Sequence, residues 1–145
     1  MAERSARNTA MDLLARREHS RHQLQEKLRQ RGFEGEEIDI ALNRLVSEKL
    51  LDDERFAESY INQRIQKGYG PLRIRHELGE KGVDGEIINR RMESVDREWA
   101  DLMREQRLRR FGADIPEDYR ERMKQARFLQ NRGFSPESVM RLFRR

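Results

Sequence analysis

The stretch SRHQLQEKLRQRGFEGEEI, residues 20–38, is written again fifty residues later as GPLRIRHELGEKGVDGEII, residues 70–88. Leu24, Leu28, Gly32, Glu36 and Ile38 recur as Ile74, Leu78, Gly82, Glu86 and Ile88, while identity outside this frame is weak. The frame is what a fold needs: two apolar positions four apart on one helix face, a glycine to end the helix, and an apolar position on the next helix. A looser third copy follows about 51 residues further on as Leu129, Gly133, Phe134, Glu137 and Val139. Repetition at this period predicts small helical units stacked on their neighbours.

Composition agrees. Only 35% of the 145 residues are hydrophobic and 40% are charged, a balance that suits a row of shallow cores better than one deep core. With no cysteine, disulfides, thiolate metal sites and a cysteine nucleophile are excluded. No apolar run approaches a membrane span, and Met1-Ala2-Glu3-Arg4 lacks the apolar core of a signal peptide, so the expectation is a cytoplasmic protein that does not enter the membrane. The net charge of +4 lies in the last third: residues 1–49, 50–95 and 96–145 carry +1, −1 and +4. Arginine supplies 26 of the 31 basic side chains, which fits phosphate or carboxylate forks but fits codon bias in a GC-rich genome equally well.

Along the chain, Ser5 to Arg17 has helical spacing on Ala6, Ala10, Met11, Leu13 and Leu14. Ser20 and Gln23 fit a capping box for a helix over 21–31, Gly32 stops it, Phe33 packs back, and a third helix spans 36–49 on Ile38, Ala41, Leu42, Leu45 and Val46. In the second unit Asp52 or Asp53 caps a helix to about Gln66, buried through Phe56, Ala57, Tyr60 and Ile61. Lys67-Gly68-Tyr69-Gly70-Pro71 breaks it, Pro71 opens the next helix, Gly82 ends that one, and Asp84 caps a helix through Ile87, Ile88 and Met92. The third unit has a helix over about 97–111 with Trp99, Leu102, Met103 and Leu108, a turn over 112–116, and a helix lined by Tyr119, Met123, Ala126 and Leu129. Gly133 is its stop, and Ser135-Pro136 starts the last helix. No stretch alternates long enough to form a strand. The expected fold is all-α: nine helices in three tandem three-helix, helix-turn-helix-like repeats over 1–49, 50–95 and 96–145, in an elongated array.

Catalytic signatures are missing. His19, His22 and His76 have no third ligand at metal spacing and read as polar surface histidines, and no phosphate loop, zinc-protease motif or nucleophile elbow occurs. Carboxylates interleave with arginines at helical spacing, which means solvated ion pairs rather than an acid–base dyad. No enzyme, metal or cofactor is expected. Positions that would read a DNA groove are acidic: Glu34, Glu36, Glu37 and Asp39 in one unit, Asp84 and Glu86 in the next. The sharpest local signal is Lys67-Gly68-Tyr69-Gly70-Pro71. A helix stop and restart explain its glycines and proline, but not Arg64, Lys67, Arg73 and Arg75 around an exposed Tyr69 that could stack on a base or fill a protein pocket.

Leu51-Asp52-Asp53-Glu54-Arg55-Phe56-Ala57, Tyr60, Arg64, Lys67-Gly68-Tyr69-Gly70-Pro71, Arg73-Ile74, Glu77-Leu78 and Lys81-Gly82-Val83 together resemble the RecX family, bacterial modulators of the RecA recombinase. Arg127-Phe128-Leu129 and Arg132-Gly133-Phe134 extend the likeness into the third unit. The resemblance implies a curved array of the three repeats, and a non-enzymatic regulator that lies along the RecA–single-stranded-DNA filament and lowers its ATP hydrolysis, strand exchange and stimulation of repressor self-cleavage in the DNA-damage response. Partner-binding residues are expected at Arg64, Lys67, Tyr69, Arg73, Arg75 and Lys81. An alternative is a module acting mainly on single-stranded DNA, through Arg104, Arg107, Arg109, Arg110, Arg141, Arg144 and Arg145. A monomer is expected. Reversing Lys67 and Arg73 to glutamate should then weaken filament inhibition strongly and leave melting nearly unchanged, as for exposed charges.

Overall fold

A computed structural model describes residues 4–144. Among them nine helices and no strand occur: α1 Ala6–Arg16, α2 Arg21–Gln30, α3 Gly35–Ser47, α4 Asp53–Gln66, α5 Pro71–Glu80, α6 Gly85–Glu93, α7 Trp99–Phe111, α8 Tyr119–Asn131 and α9 Pro136–Phe143. The fold is all-α, as the repeat predicts. Helix starts are set by capping. Ser5 accepts from the Asn8 N–H, the Ser20–Gln23 capping box is present in both directions, and Ser135 caps α9 with Pro136 in its first turn. Asp52 accepts from the N–H groups of Glu54 and Arg55 at the start of α4.

The repeated frame is a hydrogen-bonded motif. In each copy the residue after the glycine donates its N–H to the leucine carbonyl five residues back: Phe33 to Leu28 at 3.2 Å, Val83 to Leu78 at 3.1 Å, Phe134 to Leu129 at 3.2 Å. The glycines Gly32, Gly82 and Gly133 sit at φ 90°, 78° and 103°, which closes a Schellman turn. The leucine that supplies the carbonyl also points its side chain into the core: Leu28, Leu78 and Leu129 are all fully buried. One leucine therefore serves turn and core together, which is why the frame recurs while its surroundings drift.

The chain packs as two compact units, one of residues 1–60 with 78–91 and the other of 61–77 with 92–145. In the first, α1, α2 and α3 pack mutually around Ala6, Ala10, Leu13, Leu24, Leu28, Ile38, Ala41, Leu42, Leu45 and Leu51. In the second, α7, α8 and α9 pack mutually, with Leu102, Met103, Ala126, Leu129, Val139 and Phe143 buried. The expected core is mostly found, with exceptions. Met11, Val46, Leu108 and Tyr119 are exposed, Tyr119 to 72%. On α7 Leu102 and Met103 face inward as expected, but the next turn of that face is Gln106 and Arg107, and Leu108 lies outside it. Asp118 caps α8, its side chain accepting from the Glu121 N–H. His19, expected on the surface, is buried: its Nδ1 lies 3.0 Å from the Arg17 carbonyl and its Nε2 3.1 Å from Lys27 Nζ.

Candidate functional site

The Lys67-Gly68-Tyr69-Gly70-Pro71 loop of the second unit is docked rather than free. Gly68, at φ 87°, closes its own Schellman turn on α4, with Tyr69 N–H donating to the Arg64 carbonyl at 3.0 Å. The loop then meets the turn between α8 and α9. Gly70 N–H donates to the Arg132 carbonyl at 2.7 Å and Leu72 N–H to the Gly133 carbonyl at 3.0 Å. Side chains repeat the exchange: Arg73 donates to the Asn131 carbonyl at 3.1 Å and Arg132 to the Lys67 carbonyl at 2.9 Å. Each arginine thereby covers the carbonyl end of the helix opposite its own turn. A Cβ on Gly70 would lie 2.6 Å from the Gly133 carbonyl carbon, and a Cβ on Gly133 would lie 2.8 Å from the Arg73 nitrogen. Two main chains approach where only glycine fits.

Tyr69 sits inside this latch, and it is half-buried rather than exposed. The guanidinium carbons of Arg64, Arg73 and Arg132 lie 3.8, 4.3 and 4.9 Å from its ring centroid. Glu77 accepts two bonds from Arg64, both 2.9 Å, and one from Arg73 at 3.2 Å. The Arg64 side chain is only 15% exposed. The expectation of an open tyrosine flanked by solvent-facing cations is therefore corrected: the ring is crowded by guanidiniums, and Arg64 and Arg73 are held by Glu77. Arg132 is the residue that sequence reading missed. It also stands 5.2 Å from the Phe128 ring, which Arg110 approaches to 5.5 Å and Phe111 meets edge-on at 5.4 Å.

The other expected residues separate. Lys67 is exposed and Arg75 half-buried on α5. Lys81 belongs to the first unit, with Nζ 4.9 Å from the Tyr60 ring, and its carbonyl accepts from the Ser20 hydroxyl at 2.7 Å. Arg107 is a correction: it is buried, donating to the carbonyls of Ala113 and Asp114 and to Gln125 Oε1, and so holds the turn after α7 instead of facing nucleic acid. Arg104 is exposed and paired with Asp101 at 2.9 Å. Arg109, Arg110, Arg141 and Arg144 are exposed, and Arg145 lies outside the described residues. Among the described residues no three of His, Asp or Glu gather in a way that could hold a metal, and no helix is long and apolar enough to cross a membrane.

Known proteins resemble this chain in sequence and fold. Family models for the first, second and third three-helix domains of RecX match residues 6–45, 52–90 and 96–143. Regulatory protein RecX of Pseudomonas entomophila strain L48 is 49% identical over 138 residues, covering 95% of this chain and 89% of its own. The RecX of Pseudomonas fluorescens strain Pf-5 is 46% identical over the same lengths. A crystal structure of a regulatory protein RecX aligns with a TM-score of 0.78 at 25% identity, covering 95% of this chain and 69% of that one. That of RecX from Lactobacillus salivarius aligns with a TM-score of 0.75 at 24% identity, covering 95% and 94%. With all three of its three-helix domains matched in order, the chain belongs to the RecX family of regulatory proteins.

Proposed function

We propose that this protein is a non-enzymatic modulator of the RecA recombinase, binding the RecA–single-stranded-DNA filament and restraining its ATPase, strand-exchange and coprotease activities. Membership of the RecX family carries the reading. The latch supports it: three cations, Arg64, Arg73 and Arg132, surround one ring beside the exposed Lys67, and the carboxylate of Glu77 answers two of them. Such a surplus attracts an acidic partner surface and speeds encounter with it. The protein acts in the cytoplasm as a monomer, without a cofactor, through three repeats over 1–49, 50–95 and 96–145 that can each touch the filament. Several modest contacts along one filament add up through avidity. The test is the ATPase of the cognate recombinase on single-stranded DNA with this protein titrated in. Loss of ATP hydrolysis at saturating DNA is expected; an unchanged rate over the full titration counts against the reading.

A second reading, direct binding of single-stranded DNA, is favoured by one observation. Arg109, Arg141 and Arg144 are exposed and have no ion-pair partner among the described residues. Neutralising several phosphates gives affinity that falls steeply with salt, whereas docking dominated by protein contacts does not. Binding of an oligonucleotide across salt therefore weighs the two.

A further inference from the structure

We propose that Lys67, Arg110 and Arg132 form one anion-recognition strip on the second unit, and that its ligand is an acidic segment of a partner protein rather than nucleic acid. The strip joins two regions that are far apart in sequence. Arg132 donates to the Lys67 carbonyl and flanks the Phe128 ring together with Arg110, so that cations and rings alternate from the α4–α5 loop to the end of α7. None of the three cations has an ion-pair partner among the described residues, whereas Arg64 and Arg73 are held by Glu77. A guanidinium lying over a ring keeps its N–H edge for an oxyanion, and two such edges beside one ring suit carboxylates or phosphates.

Two observations choose the carboxylate. Binding of single strands relies on open aromatic faces on which bases stack. Here Tyr69 is half-buried under three guanidiniums, and Phe128 is flanked by two guanidiniums and the edge of Phe111. The second is Leu108, 53% exposed and one helical turn before Phe111 on the same helix. A leucine there offers apolar contact that a peptide side chain can use and a phosphodiester backbone cannot. The fitting ligand is a segment in which glutamates or aspartates flank an apolar residue. This deepens the proposed function and rests on it only for which protein supplies the segment.

The experiment measures binding of a short fluorescent polyglutamate and a short fluorescent oligothymidylate to the full chain. The variant combines Lys67→Gln with Arg110→Gln, which spares the Arg132 bond that holds the latch. Polyglutamate should bind the parent, and the variant should lose at least about tenfold in affinity with an unchanged melting temperature, while oligothymidylate binding stays as it was. The proposal is overturned if the parent does not bind polyglutamate, if the variant binds it as tightly as the parent, or if oligothymidylate is what the variant loses. The recombinase ATPase separates the two readings. Strip-dependent polyglutamate binding without ATPase inhibition leaves the strip standing and removes the filament; inhibition by a parent that ignores polyglutamate does the reverse.

Discussion

At the scale of single residues, the buried polar groups carry the sharpest consequences. Arg107 satisfies three acceptors from a position 6% exposed. Arg107→Ala should destabilise the protein by about 2–4 kcal/mol, because it strands two carbonyls and leaves a void. Chemical denaturation tests this, and a loss of DNA affinity without loss of stability would return Arg107 to the surface role its sequence suggested. His19 gives a pH dependence. Burial, the largest cause, pushes its pKa below the ordinary value; the bond to the Arg17 carbonyl opposes this, and the charges of Arg17 and Lys27 add to the lowering. The sign follows from linkage. Below about pH 6.5 the unfolded chain protonates this histidine before the folded one does, so the contribution of His19 to stability is present above that pH and is lost as the pH drops through that window. His19→Gln should remove part of that slope in melting experiments between pH 5 and 7, and a slope identical to the parent's would show that other groups set it.

At the scale of elements, the latch between the α4–α5 loop and the α8–α9 turn divides two cations that look alike in sequence. Arg73→Glu should cost about 1–3 kcal/mol, since it breaks the bond to the Asn131 carbonyl and places a carboxylate beside Glu77. Lys67→Glu should stay within about 0.5 kcal/mol, as its side chain is exposed. Separate melting curves decide, and equal effects would mean that the latch contributes nothing. Gly70→Ala should cost at least about 2 kcal/mol, because the new Cβ meets main chain that cannot turn aside. What sequence could reveal here follows from range. The Schellman turns at Gly32, Gly82 and Gly133 are closed by bonds between residues five apart, so their signature is local and was legible. The latch is made by Arg132 reaching a carbonyl 65 residues away, and no local pattern announces it. On α7, Arg107 and Leu108 are neighbours, and a helix with charges on every side leaves the inward face undetermined to within one residue.

At the scale of the whole molecule, the repeat makes stability depend on a few positions used twice over. Leu78 is fully buried and lends its carbonyl to the Val83 N–H. Leu78→Ala should cost about 2–5 kcal/mol in denaturant, the range for a buried leucine; a shift below about 0.5 kcal/mol would contradict the burial described here. Fold class was readable from the sequence because three copies of one frame, each with its own glycine stop, leave little else to build. Binding residues were less readable, because which cations are exposed depends on which carboxylates fold against them: Glu77 takes Arg64 and Arg73, and Asp101 takes Arg104.

The crowding of Tyr69 has a use beyond binding. The chain has three tyrosines, and their surroundings grade their chemical reactivity: Tyr119 is 72% exposed, whereas Tyr69 is shielded by three guanidiniums. Nitration or iodination followed by mass spectrometry should mark Tyr119 first and Tyr69 late. Any event that parts the two turns, whether a partner's arrival or a mutation such as Gly70→Ala, uncovers the Tyr69 ring and brings its labelling forward. The protein thus holds a chemical clock for the opening of its own latch, readable at a native side chain and against Tyr119 as an internal standard.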